Sequence, residues 1–297
     1  MKKHKTLRIT LYDDPCVISK APAKGLGLSL LYHSLPGRAL LKVLTNPAVS
    51  NMAGHFMDSP YSKWIIPAFV RQNHIKLDDF EKTNTKDYAN FNEFFIRQIR
   101  RELRPLCTDP EKLASPCDGL LRVYPIREGM VIPVKESKYS IKSLLRDSEL
   151  AAAYEGGYCL VFRLCVNHYH RYHFPDDGSL EICKKIPGIL HTVQPIALLS
   201  TPVFTENSRE YALLHTEHFG DVIQMEVGAM LVGRISNHLH KKRFARGEEK
   251  GYFQYGGSTV ILLVQKDKVK IPKKVLRASG AGYEVNVKMG QAIAESR

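Results

Sequence analysis

Three segments of this chain carry side chains that can act on a covalent bond. The first is Ser115-Pro116-Cys117-Asp118-Gly119, where a Pro/Gly turn holds the Asp118 carboxylate. Asp-Gly on its own is ordinary turn chemistry. The second is His168-Tyr169-His170-Arg171-Tyr172-His173-Phe174-Pro175, which gathers three of the 12 histidines. On a strand, His168 and His170 share one face and His173 takes the other. Such a run can bind a metal, and imidazole suits zinc. However, Tyr172 stands where the metallohydrolase run H-x-H-x-D-H has its Asp. Alternatively one imidazole serves as a general base, since its pKa lies near neutrality. The third segment is Lys250–Thr259, in which Gly256-Gly257 precedes Ser258. Paired glycines allow strained or left-handed backbone just ahead of a hydroxyl that can attack the Gly257 carbonyl. An Asp, a His and a Ser from separate segments can converge as a triad, with Asp orienting His and His taking the Ser proton. A turn, a polar strand end and a tight strand entry remain the bland readings of the three clusters.

The elements that must position these groups divide the chain. Residues 1–24 read as a basic extension, 25–105 as helical and 106–297 as β-rich, an α+β class overall. Leu40, Leu41, Val43 and Leu44 form an apolar helix face that Asn46-Pro47 ends. Ser59-Pro60 reads as a cap with Pro at the first helical position, and Pro67 is expected to kink or shorten the helix that follows. Asn90 and Glu93 resemble a capping box. Phe91, Phe95, Ile99 and Leu103 then predict a helix up to Pro105, with Arg97, Arg100, Arg101 and Arg104 on its polar side. Beyond Pro105, short apolar runs alternate with Gly, Pro and Asp, which is strand and turn texture. Thr259–Val264 is apolar on both faces and predicts a central strand.

Composition bounds the function classes. The chain has 297 residues, 44% hydrophobic and 25% charged, which is globular and not disordered. No apolar run approaches the roughly 18 residues of a membrane span. The early lysines lack the apolar stretch of a cleaved signal, so none is expected. The six cysteines show no C-x-x-C pair and read as free, mostly buried thiols. The net charge is +13. Residues 1–80 hold 11 Lys+Arg against 5 Asp+Glu, and residues 258–297 hold 8 against 3, so the excess lies at the two ends. Nucleic acid, an anionic membrane or an acidic small substrate would each account for it.

The ordered set of segments resembles the phosphatidylserine decarboxylase family, whose members are made as proenzymes. The resemblance runs from about residue 25 to the C-terminus. It rests on FNEFFIRQIRRELRP at 91–105, SPCDG at 115–119, YHRYHFP at 169–175, FTENSRE at 204–210, VGAMLVGRI at 227–235 and GEEKGYFQYGGSTVILL at 247–263. It implies that Ser258 is the self-cleavage serine, that His173 and Asp118 complete the triad, and that His170 assists decarboxylation. Cleavage between Gly257 and Ser258 would give a β piece, 1–257, and an α piece, 258–297. Ser258 would become a covalent pyruvoyl group, the pyruvate-type cofactor that forms a Schiff base with phosphatidylserine and releases phosphatidylethanolamine. Neither a metal nor pyridoxal phosphate is needed. His168 stands where the family usually has Asp, which affects local electrostatics more than the triad. The implied partners are phosphatidylserine in an anionic membrane and the other cleaved piece, with a higher oligomer left open and no nucleic acid. The implied location is peripheral, on the cytoplasmic side of the cell membrane, with residues 25–105 touching it. Two rival activities remain: a metal-dependent hydrolase using His168, His170 and His173, and a pyruvoyl decarboxylase of a soluble amino acid.

Overall fold

The computed structural model describes residues 7–12, 14–20, 30, 34–127, 132–134, 137–191, 203–229, 234–238, 242–254 and 258–297. Its centre is an antiparallel sheet of ten strands. In spatial order these are Leu7–Leu11, Asp14–Lys20, Tyr283–Val287, Gly119–Pro125, Tyr158–Leu164, Ser258–Val264, Gly220–Val227, Arg209–Thr216, Gly178–Ile186 and Arg243–Phe244. The expected central strand is central: every residue of Ser258–Val264 is buried, between Tyr158–Leu164 and Gly220–Val227. Its apolar character on both faces follows from burial on both faces. With the helices described below, this makes the α+β class of the sequence reading.

A smaller sheet of Ile235–Asn237, Glu249–Phe253 and Arg171–His173 lies against the large one. Gly251 lets two of its strands meet, because a Cβ there would sit 2.1 Å from the Ser236 carbonyl oxygen. A third sheet joins Val269–Lys270, Ala292–Ser296 and Lys112–Ala114.

The helical layer has its own aromatic core of Ile66, Phe80, Tyr88, Phe91, Phe94, Phe95 and Ile99. Its helices start as their caps dictate. Ser34 Oγ accepts from the Gly37 N–H and opens Leu35–Leu44, and Asn46 Oδ1 accepts from the Ala48 N–H and opens Pro47–Asp58. Among the described residues no helix is long and apolar enough to cross a membrane.

Several sequence expectations are corrected. Part of the basic extension is built into the fold, since Leu7–Leu11 and Asp14–Lys20 form the edge hairpin of the large sheet. Pro67 falls in the first turn of Ile65–Gln72, where its missing N–H has no intrahelical role, so it breaks nothing. Ser59 makes no side-chain cap bond, and a short 3-10 turn, Pro60–Trp64, precedes that helix. The helix from Asn90 spans only Phe91–Phe95, although Asn90 Oδ1 does accept from the Glu93 N–H at 2.8 Å. Ile99 then pairs with Phe80 as an isolated β-bridge. Ending the helix early turns Arg97 inward, so it is buried against the rings of Phe80 and Phe94 and does not face solvent. Of the six free cysteines, only Cys16, Cys117 and Cys159 are buried.

Candidate active site

Strand register brings the chemical segments to one end of the large sheet. Ser258, first in its strand, faces Leu164, the last residue of the neighbouring strand. On the other side of that neighbour, Leu120 faces Arg163. Asp118, two residues ahead of Leu120, therefore lies at the same sheet end as Ser258, two strand spacings or about 10 Å away across the ladder. Ser258, Val260 and Leu262 point to one face, together with Glu226 opposite Val260 and Gln224 opposite Leu262. The strand Arg171–His173 crosses over this face. Gln224 Nε2 donates to the His173 carbonyl at 3.3 Å, and the His173 N–H donates to the Pro116 carbonyl at 2.8 Å. The Asp, His and Ser segments thus converge.

The side chains are gathered but not hydrogen-bonded to one another. Asp118 is gripped by Arg104, with Nε donating to Oδ1 at 2.7 Å and Nη2 to Oδ2 at 2.5 Å. The Met289 N–H adds a third donor to Oδ1, at 2.9 Å. Ser258 Oγ and His173 Nδ1 are both buried without a partner among the described residues. Burial holds the His173 imidazole at a pKa of about 4, so it is neutral at physiological pH and able to accept a proton. Gly257 lies outside the described residues.

His168 and His170 precede the strand, His168 at a bend and His170 in irregular chain, and do not line one strand face. His168 Nδ1 accepts from the Cys165 N–H at 3.1 Å, and burial pushes its pKa down. Among the described residues no three His, Cys, Asp or Glu side chains are placed to share a metal ion. His170 is fully buried, 4.2 Å from the Phe95 ring centroid-to-centroid, and its Nε2 has no partner among the described residues. Burial, then the nearby Arg97 charge, depresses its pKa well below the usual value. A cavity of about 840 Å³ opens beside His173, lined among others by Tyr169, Arg101, Arg104, Glu249 and Met289.

The chain's sequence and its relatives say what this arrangement belongs to. The family model described as phosphatidylserine decarboxylase matches residues 91–295. A protein of Clostridium acetobutylicum named phosphatidylserine decarboxylase proenzyme 2 is 42% identical over 270 residues, 91% of each chain. The chain belongs to the phosphatidylserine decarboxylase family. Two further proenzymes of that name agree. That of Clostridium perfringens is 39% identical, covering 88% of this chain and 90% of its own, and that of Clostridium botulinum is 40% identical, covering 90% and 91%. Phosphatidylserine decarboxylases are carboxy-lyases, and the matched range holds Asp118, His170, His173 and Ser258 but begins after the helices of residues 35–72.

Sequence reasoning missed three residues around this candidate site. Helical periodicity puts Arg104 on the polar side of a helix, yet it grips Asp118. Its signal was available, since it is the last arginine before Pro105 and that proline ends the expected helix. Arg97 was placed on the same face by helical periodicity, which the short helix invalidates. Gln224 interrupts the apolar run of Gly220–Val227, and a polar residue in a buried strand is a sign of a specific partner.

Proposed function

We propose that this chain is a proenzyme that cuts itself between Gly257 and Ser258 and then decarboxylates phosphatidylserine to phosphatidylethanolamine. The observation that carries the proposal is Ser258 itself. Its hydroxyl is wholly buried at the head of the central strand and has no partner among the described residues, and the same holds for one ring nitrogen each of His173 and His170. A buried polar atom without a partner costs free energy and calls for a reason.

In self-cleavage, His173 takes the Ser258 proton as Oγ attacks the Gly257 carbonyl, and Asp118 steadies the imidazolium. The peptide bond becomes an ester; elimination then removes the Cα proton and breaks the Cβ–O bond, which frees the Gly257 carboxylate and leaves dehydroalanine at position 258, and water replaces its nitrogen, which departs as ammonia. The residues present fit a pyruvoyl group at that place: position 258 is enclosed and needs no more room than a serine, and its hydroxyl is buried without a partner among the described residues. When formed, that group supplies an electron-accepting carbonyl next to the carbon that loses carbon dioxide. The chain's own part is then to exclude water from position 258 and to move a proton at His170 Nε2. The mature enzyme would be a heterodimer of residues 1–257 and 258–297.

The helical layer supports a peripheral membrane location. Leu40, Val43, Met52, Phe56, Tyr61 and Trp64 are exposed on its short helices, with Lys42 among them. Exposed apolar residues interleaved with cations suit an anionic bilayer surface, where each cation adds about 1 kcal/mol. Lipid substrate and docking surface then lie on one molecule, with the lipid reached from the cytoplasmic side.

Intact-mass spectrometry of the purified chain tests the cleavage: two pieces divided at Gly257–Ser258 are expected, and one uncut piece from the Ser258→Ala variant. A Ser258→Ala chain that still splits there refutes the assigned serine. Release of carbon dioxide from phosphatidylserine vesicles but not from free serine separates this activity from that of a soluble amino acid decarboxylase.

A further inference from the structure

Arg97 is a buried arginine with only 2% of its surface exposed, and no carboxylate pairs with it among the described residues. Burying a guanidinium without a counter-ion is costly, so its placement calls for an explanation. Its Nη2 donates to the His168 carbonyl at 3.1 Å and to the Asn167 carbonyl at 3.5 Å, and Nη1 donates to the Phe94 carbonyl at 3.3 Å. The His168 carbonyl oxygen is also 3.3 Å from His170 Nδ1. A carbonyl can only accept, so in this contact Nδ1 must carry the hydrogen. A neutral imidazole with hydrogen on Nδ1 has its lone pair on Nε2, the atom left buried and without a partner.

We propose that Arg97 is a positioning residue: by holding the His168 carbonyl, it fixes His170 as the Nδ1–H tautomer with a bare Nε2. The proposal deepens the decarboxylase reading and rests on it for its purpose. It explains why an arginine from the helical layer reaches into the histidine segment. It also gives His170 a single role: Nε2 can take a proton from the substrate ammonium and hand it to the carbon left when carbon dioxide departs, so that the imidazole ends as it began and the released amine takes its third proton from solvent. The charged or titratable groups facing His170 are Arg97 from the helical layer and His168 from its own segment, and both favour the neutral ring. From the strand Glu249–Phe253 only the Phe253 N–H reaches it, donating to the His170 carbonyl at 3.0 Å.

The test uses the full chain carrying Ser258→Ala, so that it does not depend on a mature cofactor. Histidine is labelled with nitrogen-15, and the His170 signals are assigned by their loss in His170→Asn. The expected spectrum shows a protonated Nδ1 and a bare Nε2, unchanged from pH 8 to pH 5.5. Adding Arg97→Met should raise the His170 titration midpoint and mix the tautomers. Arg97→Lys should keep the midpoint low, because the charge remains, yet still mix the tautomers, because the fork is lost. A protonated Nε2 in the parent chain overturns the proposal, whether or not the Arg97→Met chain folds. An unchanged midpoint in a folded Arg97→Met chain overturns it as well. Failure of Gly257–Ser258 cleavage in the wild type would instead strike the decarboxylase reading and leave this spectrum standing.

Discussion

Removing one member of the buried Lys250–Glu226 pair should destabilise the fold far more than removing both. Lys250 Nζ lies 2.6 Å from each Glu226 carboxylate oxygen and 3.2 Å from Asn237 Oδ1, and the two charged side chains are 1% and 0% exposed. Lys250→Met leaves Glu226 buried without its cation, and the expected loss is about 3–5 kcal/mol. Glu226→Gln should cost a similar amount by stranding the ammonium. The double variant removes both charges and should return to within about 1–2 kcal/mol of the parent, giving a large coupling between the sites. The pH dependence has a definite sign. Burial already raises the Glu226 pKa, and loss of Lys250 removes the chief force opposing that rise. The lone carboxyl therefore keeps its proton in the folded state at a pH where the unfolded chain has lost it, and stability falls as pH rises above the ordinary carboxylate range. The Lys250→Met deficit should be smaller at pH 5 than at pH 8. Urea midpoints measured in the Ser258→Ala background keep all four proteins as single chains. The reasoning is refuted if Lys250→Met costs under about 1 kcal/mol or if the two single losses simply add in the double variant.

Other consequences can be checked directly. His173 is neutral down to a pKa of about 4, so self-cleavage of freshly translated chain should hold its rate from pH 7 to pH 5.5 and fall only below; a decline centred near pH 6.5 would contradict the buried base. The same depression means that stability is complete above the ordinary histidine pKa and is lost as pH falls toward 4, by on the order of 3 kcal/mol. Arg104→Met takes away the two-pronged grip on Asp118 and should slow self-cleavage about 10–100-fold, with Arg104→Lys recovering part of it; equal rates in all three chains would remove Arg104 from the site. Tyr61→Ser with Trp64→Ser should weaken binding to anionic vesicles by at least about a hundredfold, since each lost apolar side chain is worth about 1.5–3 kcal/mol when buried; unchanged flotation would place the membrane contact elsewhere.

What the sequence disclosed and what it concealed divide along physical lines. The strand Ser258–Val264 was legible because burial on both faces leaves an unbroken apolar run. The helix start at Asn90 was legible because a cap is a local bond between near neighbours, whereas the caps at Ser34 and Asn46 went unread and Asn46-Pro47 was taken only as the end of the preceding helix. The end of the helix after Phe95 was not. Phe91, Phe95 and Ile99 fit a helical stripe, yet Ile99 goes inward by pairing with Phe80, a contact that no local pattern encodes. The same error exposed Arg97 and Arg104 on a polar face when both turn in, toward His168 and Asp118. The edge hairpin at residues 7–20 was likewise hidden, because its partner is Tyr283–Val287 at the far end of the chain. Motif order pointed to Asp118, His173 and Ser258, but only the fold shows Arg104 gripping both oxygens of Asp118.

The family's proenzyme chemistry asks the chain to survive a break at its centre, and the sheet topology explains how it would. A cut between Gly257 and Ser258 falls at the entrance of the most buried strand. The piece from Ser258 onward then contributes Ser258–Val264 to the middle of the large sheet and Tyr283–Val287 to a second place in the same sheet, beside Asp14–Lys20 and Gly119–Pro125. Its last strand, Ala292–Ser296, pairs with Lys112–Ala114. Val260, Ile261, Leu262, Leu263 and Val264 are all essentially inaccessible, and their burial alone contributes on the order of 10 kcal/mol as an upper estimate. Two ladders of main-chain hydrogen bonds flank the same strand. The two pieces should therefore co-elute in gel filtration under native conditions and separate only in denaturant. Val260→Ala with Leu262→Ala should weaken this hold by about 4–8 kcal/mol, because each leaves a cavity between the sheet and its covering strands. Native dissociation of the unmodified pieces would mean that the retained ladder does not hold the break closed. In that case position 258 would open to water at the moment its chemistry requires enclosure.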